Sequence, residues 1–370
     1  MSRYNRISIS RTRLFIGAAA VFLGAIGLPA VAADAQLSAP IATYTGADRM
    51  QKLIDGAKKE GEITIYTSAP SDDMTALTAA FEKKYGIKAK VWRASSEKVL
   101  GRGLTEARGN RFDADVYETN GPELEALHRE KMLQEVKSPS LADLVPQAIL
   151  PHGEWVSTRI NIFTAAYNTK LIKKEELPKT YQDLLNPKWK GKLGIEAEDA
   201  DWFAGVIADL GEEAGLKLFR DIVAVNGLSV RKGHTLLTNL VASGEVPIAL
   251  TIYNYKAEQL KNKGAPIDWF VIGKNAIARP NGIAVARKSP HPHAAVLFYE
   301  FCVTDAQQIF LQRDFVPTSK KIESPLTKIP LKFVDVKTSL DDDAKWTKLY
   351  TDIITKQSKR SEERRVGKEC

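Results

Sequence analysis

From Met50 onward the apolar positions switch repeatedly between helical and strand spacing. Met50, Leu53, Ile54 and Ala57 fall at i, i+3, i+4 and i+7, which predicts an amphipathic helix closed by Lys58, Lys59 and Gly61. Ile63 and Ile65 then alternate with Glu62 and Thr64 as a strand, Ser68-Ala69-Pro70-Ser71 turns the chain, and Met74, Leu77 and Phe81 return at helical spacing up to Tyr85-Gly86. Ile87, Ala89 and Val91 alternate as a second strand. Ser95 and Ser96 can cap a helix running to Gly109, and a short strand from Ala114 to Glu118 precedes a helix opened by Gly121-Pro122. Strand and helix in alternation predict a parallel sheet with helices on both faces, whose ligands sit beyond the carboxyl ends of the strands. Those ends carry Thr67, Ser68, Ser95, Ser96, Thr119 and Asn120.

A second αβ set follows Trp155. It comprises GKLGIE (191–196), two helical stretches between Phe203 and Val225, a strand from Leu228 to Arg231 and a helix from Thr235. Val246 to Tyr253 is the most strand-like stretch of the chain, and Ile267 to Ile272 is another. Ser157 to Tyr167 and Asn281 to Ala286, extended and rich in β-branched residues, are expected to be hinge strands between two lobes. The predicted organisation is lobe one over residues 33–156 and 281–320, lobe two over 157–280, and a C-terminal helical segment over 321–359.

The two ends change the charge picture. Arg3, Arg6, Arg11 and Arg13, an apolar run from Leu14 to Leu28 and the small residues Ala30-Val31-Ala32 have the order of a secretory signal peptide over 1–32. Glycines and Pro29 interrupt that run, which is short against the ~20 apolar residues of a membrane span. Thr12 separates Arg11 from Arg13, so the general secretory route to the periplasm is expected rather than the twin-arginine one. Residues 360–370, RSEERRVGKEC, are unpatterned and match the translation of a sequencing-library adapter. Four arginines in the first segment, and four basic against three acidic residues in the last, bring the formal net charge from +8 to +3 over 33–359. So small a residue of charge gives no support to a nucleic-acid partner. Cys302, inside VLFYEFCV, is then a lone cysteine and reads as a small buried hydrophobe.

No HExxH, CxxC, GxSxG or Walker A pattern occurs, so the expectation is a protein that binds rather than catalyses. YNTKLI (167–172), LPKTYQDLLNPKWKGKLGI (177–195) and SPHPHAAVLFYEF (289–301) closely resemble family 1 extracellular solute-binding proteins, in the branch named for ferric-ion-binding importers. The resemblance implies an α/β, two-lobed periplasmic-binding-protein fold of type II, each lobe an open sheet flanked by helices, with a hinge of crossing strands. It also implies closure of a monomer on one small solute or metal ion, handed on to an ABC permease and its ATPase. No cofactor is expected beyond Fe(III) carried as cargo. The residues of 177–195 also read on their own terms: Thr180 caps a short helix that Asn186-Pro187 stops, and Trp189 anchors the turn at Gly191.

Ferric-binding relatives carry two adjacent tyrosines where this chain has Tyr253-Asn254-Tyr255; Tyr255 matches the second and Asn254 stands at the first. Where such relatives often place a histidine and a glutamate, this chain has Ala69-Pro70 and Asn120. The residues expected at the ligand are Ser68 and Asn120 from lobe one and Tyr253, Tyr255, Trp202 and His234 from lobe two, with Glu196 and Asp201 supplying negative field. Tyr255 and Tyr253 are the metal ligands if the solute is ferric ion, and apolar walls if it is organic. Trp202 reads equally as a core residue, and His234 as an ordinary loop histidine. Asp199 or Asp201 can cap the helix after Glu196. His291 and His293, flanking Pro292, fit a metal pair or a helix cap, and His128 is expected on an exposed helical face. Two other functions remain open, a secreted hydrolase or lyase using Glu196 or Asp201 with Tyr255, and a solute sensor for a membrane receptor.

Overall fold

The computed structural model describes residues 39–325 and 329–356. The expected signal peptide and adapter-like tail lie outside them. After a single turn, α1 (Ala39–Ala42), α2 (Arg49–Glu60) ends at Gly61, whose φ of 78° lets its N–H reach the Ala57 carbonyl. Then come β1 (Glu62–Thr67), α3 (Ser71–Tyr85), β2 (Lys88–Arg93), α4 (Ser96–Arg108), β3 (Val116–Asn120) and α5 (Gly121–Arg129), in the predicted order. β1 pairs in parallel with β2 and β3, so the carboxyl ends of all three open on one side. β2 is the outer strand of that sheet, which leaves Val91 41% exposed despite its alternating pattern.

β4 (Leu133–Gln134) leads to β5 (Val156–Asn168), thirteen residues buried throughout. Its first half, up to Ile162, pairs antiparallel with β10 (Ala276–Ala286); its second half, from Phe163, pairs antiparallel with β8 (Ile248–Tyr253) and β9 (Ile267–Phe270). β8 lies parallel to β6 (Leu193–Glu196), and β6 to β7 (Ser229–Arg231). β5 therefore belongs to both halves of one continuous path, β2-β1-β3-β10-β5-β8-β6-β7. β10 begins at Ala276 rather than the expected Asn281 because β12 (Leu331–Phe333) pairs with its first residues. At the bulge between Asn281 and Gly282 the strands approach so closely that a Cβ on Gly282 would lie 2.2 Å from the Val156 carbonyl oxygen.

Helices α6 (Ala200–Leu210), α7 (Glu212–Asn226), α8 (His234–Ser243) and α9 (Asn254–Asn262) flank the second half, with Trp202, Phe203 and Phe219 in its core. α10 (Pro292–Val303) packs along α2; Phe298 meets Phe81 edge to face at 5.0 Å, and Cys302 is buried and free. α11 (Ala306–Gln312) and β11 (Val316–Pro317) return to β5. The C-terminal segment adds α12 (Val336–Asp341), α13 (Asp343–Tyr350) and a π-helical turn, Thr351–Thr355. Among the described residues no helix is long and apolar enough to cross a membrane.

Candidate functional site

The expected residues sit where the strands end. Ser68 follows β1, Asn120 ends β3, Glu196 ends β6 and Tyr253 ends β8, with Tyr255 in the first turn of α9. On the first side Ser68 accepts a hydrogen bond from Thr119 Oγ1 at 3.0 Å. Asn120 is buried, donates to Ser96 Oγ at 2.6 Å and accepts from Asn281 Nδ2 at 3.0 Å and Asn161 Nδ2 at 3.4 Å. Asn120 thus ties β3 to both hinge strands. Glu118, one side-chain repeat deeper, forms a buried ion pair with Arg159 of β5 and a hydrogen bond with Thr67.

On the second side the tyrosines stand together. The Tyr253 and Tyr255 rings lie 5.9 Å apart and 15° from parallel. Tyr253 also packs on His234 at 3.9 Å and on Phe163 at 5.1 Å, and its hydroxyl accepts from Arg279 of β10. Tyr255 packs on Phe315 at 4.1 Å, and Phe315 in turn lies under the Arg159 guanidinium at 4.9 Å. Through Tyr255 and Arg279 the two sides of the crevice meet. Burial pushes the Tyr255 phenol well above its ordinary pKa, with Arg159 opposing the rise.

The acidic run after β6 differs from its expected role. Asp201 pairs with Arg279 at 2.8 Å, and Glu198 pairs at the surface with Lys232 at 2.6 Å, so neither leaves a free negative field. Glu196 is buried and accepts from Gly233 N at 2.8 Å and from Glu198 N. Asp199 occupies the N-cap position of α6 without a capping hydrogen bond; its side chain turns instead to His234 Nε2, 3.1 Å away. Trp202 is buried edge to face against Phe219 at 5.9 Å and Tyr181 at 6.2 Å, which makes it a core anchor rather than a wall of the crevice.

Sequence reading missed Arg159 and Arg279. Both lie in the hinge strands, and arginine is almost never buried without a partner, so a charge inside each β-branched run was the available signal. His291 and His293 do not form a metal pair: His291 Nδ1 meets Asp115 at 2.9 Å and His293 Nδ1 meets Glu60 at 2.7 Å. His128 is not on a free face either. It stacks on His152 at 3.8 Å and bonds Glu154 at 2.7 Å.

Comparison with known proteins places this geometry. Residues 76–329 match the model of the family described as "Bacterial extracellular solute-binding protein". The chain is 27% identical over 350 residues to "Iron uptake protein A1" of Synechocystis sp., covering 89% of this chain and 93% of that protein. The crystal structure of iron-bound HitA from Pseudomonas aeruginosa superposes with a TM-score of 0.69 at 26% identity, over 79% of this chain and 99% of the other. AfuA from Actinobacillus pleuropneumoniae, a periplasmic binding protein solved with fructose-6-phosphate, shares the fold with a TM-score of 0.72 at 21% identity over 80% and 99% of the two chains. The fold is the two-lobed periplasmic-binding-protein fold, with β5 and β10 as its crossing strands. The family is a class of solute-binding proteins rather than enzymes, and the chain belongs to it: the bacterial extracellular solute-binding proteins.

Proposed function

We propose that the chain is the exported, periplasmic solute-capturing subunit of an ABC importer, a non-enzymatic monomer that delivers its cargo to a permease and ATPase. Its lobes are 33–156 with 281–320, and 157–280, and its cargo is ferric ion, held between them. The reading rests on one observation: Tyr253 and Tyr255 stand side by side at the carboxyl end of β8, at the crevice, in a chain aligned over 89% of its length with an iron-uptake protein. Phenolates are hard oxygen donors, which suit a hard trivalent cation. Burial holds the Tyr255 phenol protonated, so the cation itself must drive its ionisation and release a proton.

Arg159 and Arg279 are paired with Glu118 and Asp201, but the buried Nε of each has no hydrogen-bond partner among the described residues, which favours a second reading, an anionic organic solute for which the tyrosines are walls. Titration with ferric nitrilotriacetate separates the two. One equivalent should raise a visible tyrosinate charge-transfer band, lost in Tyr255→Phe. No band, together with lobe closure by a co-purifying anion identified by native mass spectrometry, would replace iron with the organic solute.

A further inference from the structure

The four carboxylates after β6 divide into two pairs. Glu198 is matched by Lys232 and Asp201 by Arg279, which leaves Glu196 and Asp199 facing a single histidine, His234. The three side chains each offer one ligand atom within 4.8 Å of the others. Asp199 Oδ2 and His234 Nδ1 are buried with no hydrogen-bond partner among the described residues, and the Asp199 side chain is only 3% exposed. Two carboxylates against one imidazole in a low-dielectric pocket is an arrangement short of positive charge.

We propose that Glu196, Asp199 and His234 form a cation subsite for a first-row transition-metal ion, supplying three lobe-two donors beside Tyr253. The inference rests on the importer reading above and extends its ligand set. One imidazole nitrogen and two carboxylate oxygens suit such an ion. The Gly233 and Glu198 amides hold the Glu196 carboxylate in place, which is outer-shell support of the kind metal sites use. His234 Nε2 would give its lone pair to the ion, and a proton held between it and Asp199 would leave to solvent. The side chain of His234, 17% exposed, is the one through which an ion would enter.

The other histidine cluster lacks this readiness. His152 Nδ1 accepts the Glu154 N–H at 3.0 Å, which puts its proton on Nε2, facing Glu125 Oε2 at 3.4 Å.

Cobalt(II) is the probe, because its d–d bands report nitrogen and oxygen ligands without needing tyrosinate. The wild-type protein should take up one equivalent. Asp199→Asn and His234→Gln should each weaken uptake by more than the ~10–100-fold typical of losing an outer-shell partner, and Glu198→Gln should leave it unchanged. Glu196→Gln serves as a further variant if Asp199→Asn folds poorly by circular dichroism. Cobalt bands of unaltered affinity in Asp199→Asn and His234→Gln, or no cobalt uptake by the wild type, would overturn the subsite. Ferric colour that survives in both variants would overturn it while leaving the ferric reading intact. Cobalt uptake that is lost in both variants, with no ferric colour in the wild type, would uphold the subsite and remove ferric ion as cargo.

Discussion

Replacing Glu123 by glutamine should stabilise the protein above neutral pH and do nothing in acid. Glu123 lies in the first turn of α5, with Oε2 buried and without a hydrogen-bond partner among the described residues. Burial pushes its carboxyl from 4.5 up to about 7, against the pull of Arg279. An acid whose pKa is higher folded than unfolded opposes folding only where it must ionise. The penalty is therefore absent below pH 4.5, grows between 4.5 and about 7, and is constant above. At 1.36 kcal/mol per pH unit the full rise corresponds to about 3 kcal/mol. Glu123 is only half-buried, and the α5 N-terminus favours its charge, so ~1–2 kcal/mol is expected to remain.

Glutamine keeps the size of the side chain and removes the charge. Urea unfolding of both proteins at pH 8 and pH 4.5, at one ionic strength, reads the effect directly. The variant should gain the full increment at pH 8 and coincide with wild type at pH 4.5. A variant equally or less stable at pH 8 would mean that Arg279 already neutralises the carboxylate and that burial is not the dominant influence.

Other outcomes follow from single contacts. Gln259 of α9 donates to Asp73 Oδ1 at 3.2 Å and to the Arg313 carbonyl at 3.0 Å, bridging the crevice; Gln259→Ala should enlarge the radius of gyration of the cargo-free protein in small-angle scattering, with little change in melting temperature. The hydrogen bond to Asp115 raises the His291 imidazole, so its stabilisation is complete below pH 6.5 and fades as pH rises through the folded value; His291→Gln should lose about 1 kcal/mol at pH 5.5 and less at pH 8 in chemical denaturation. Gly282→Ala should lower stability by ~1–3 kcal/mol, because its Cβ would meet the Val156 carbonyl and not a yielding side chain.

Periodicity made most of the architecture legible, because α2, β1, α3 and β8 each bury a face that their own residues declare. What it could not show were elements made by pairing alone. β4 and β11 have two residues each and β12 has three, too few for any period, yet β12 is what extends the hinge strand β10 back to Ala276. Val91 shows the opposite limit: its alternation predicted a strand correctly, but its burial depends on a neighbour that the outer position of β2 does not supply.

The site shows why charge is harder to read than shape. The run EAEDAD (196–201) announces four carboxylates at the end of a strand, which is where β6 ends. Whether they make a negative field depends on cations that arrive from elsewhere in the chain, Lys232 after β7 and Arg279 in β10. Arg279 is 78 residues from Asp201, and no local pattern encodes that pairing. The same guanidinium binds the Tyr253 hydroxyl, so one unforeseen hinge residue both cancels an expected charge and fixes an expected ligand. Arg279 ties β10 to the end of β8 through Tyr253 and to the first turn of α6 through Asp201. One side chain of β10 therefore sets the positions of Tyr253 and Asp201 together, a pairing of distant segments that no local sequence pattern could have announced.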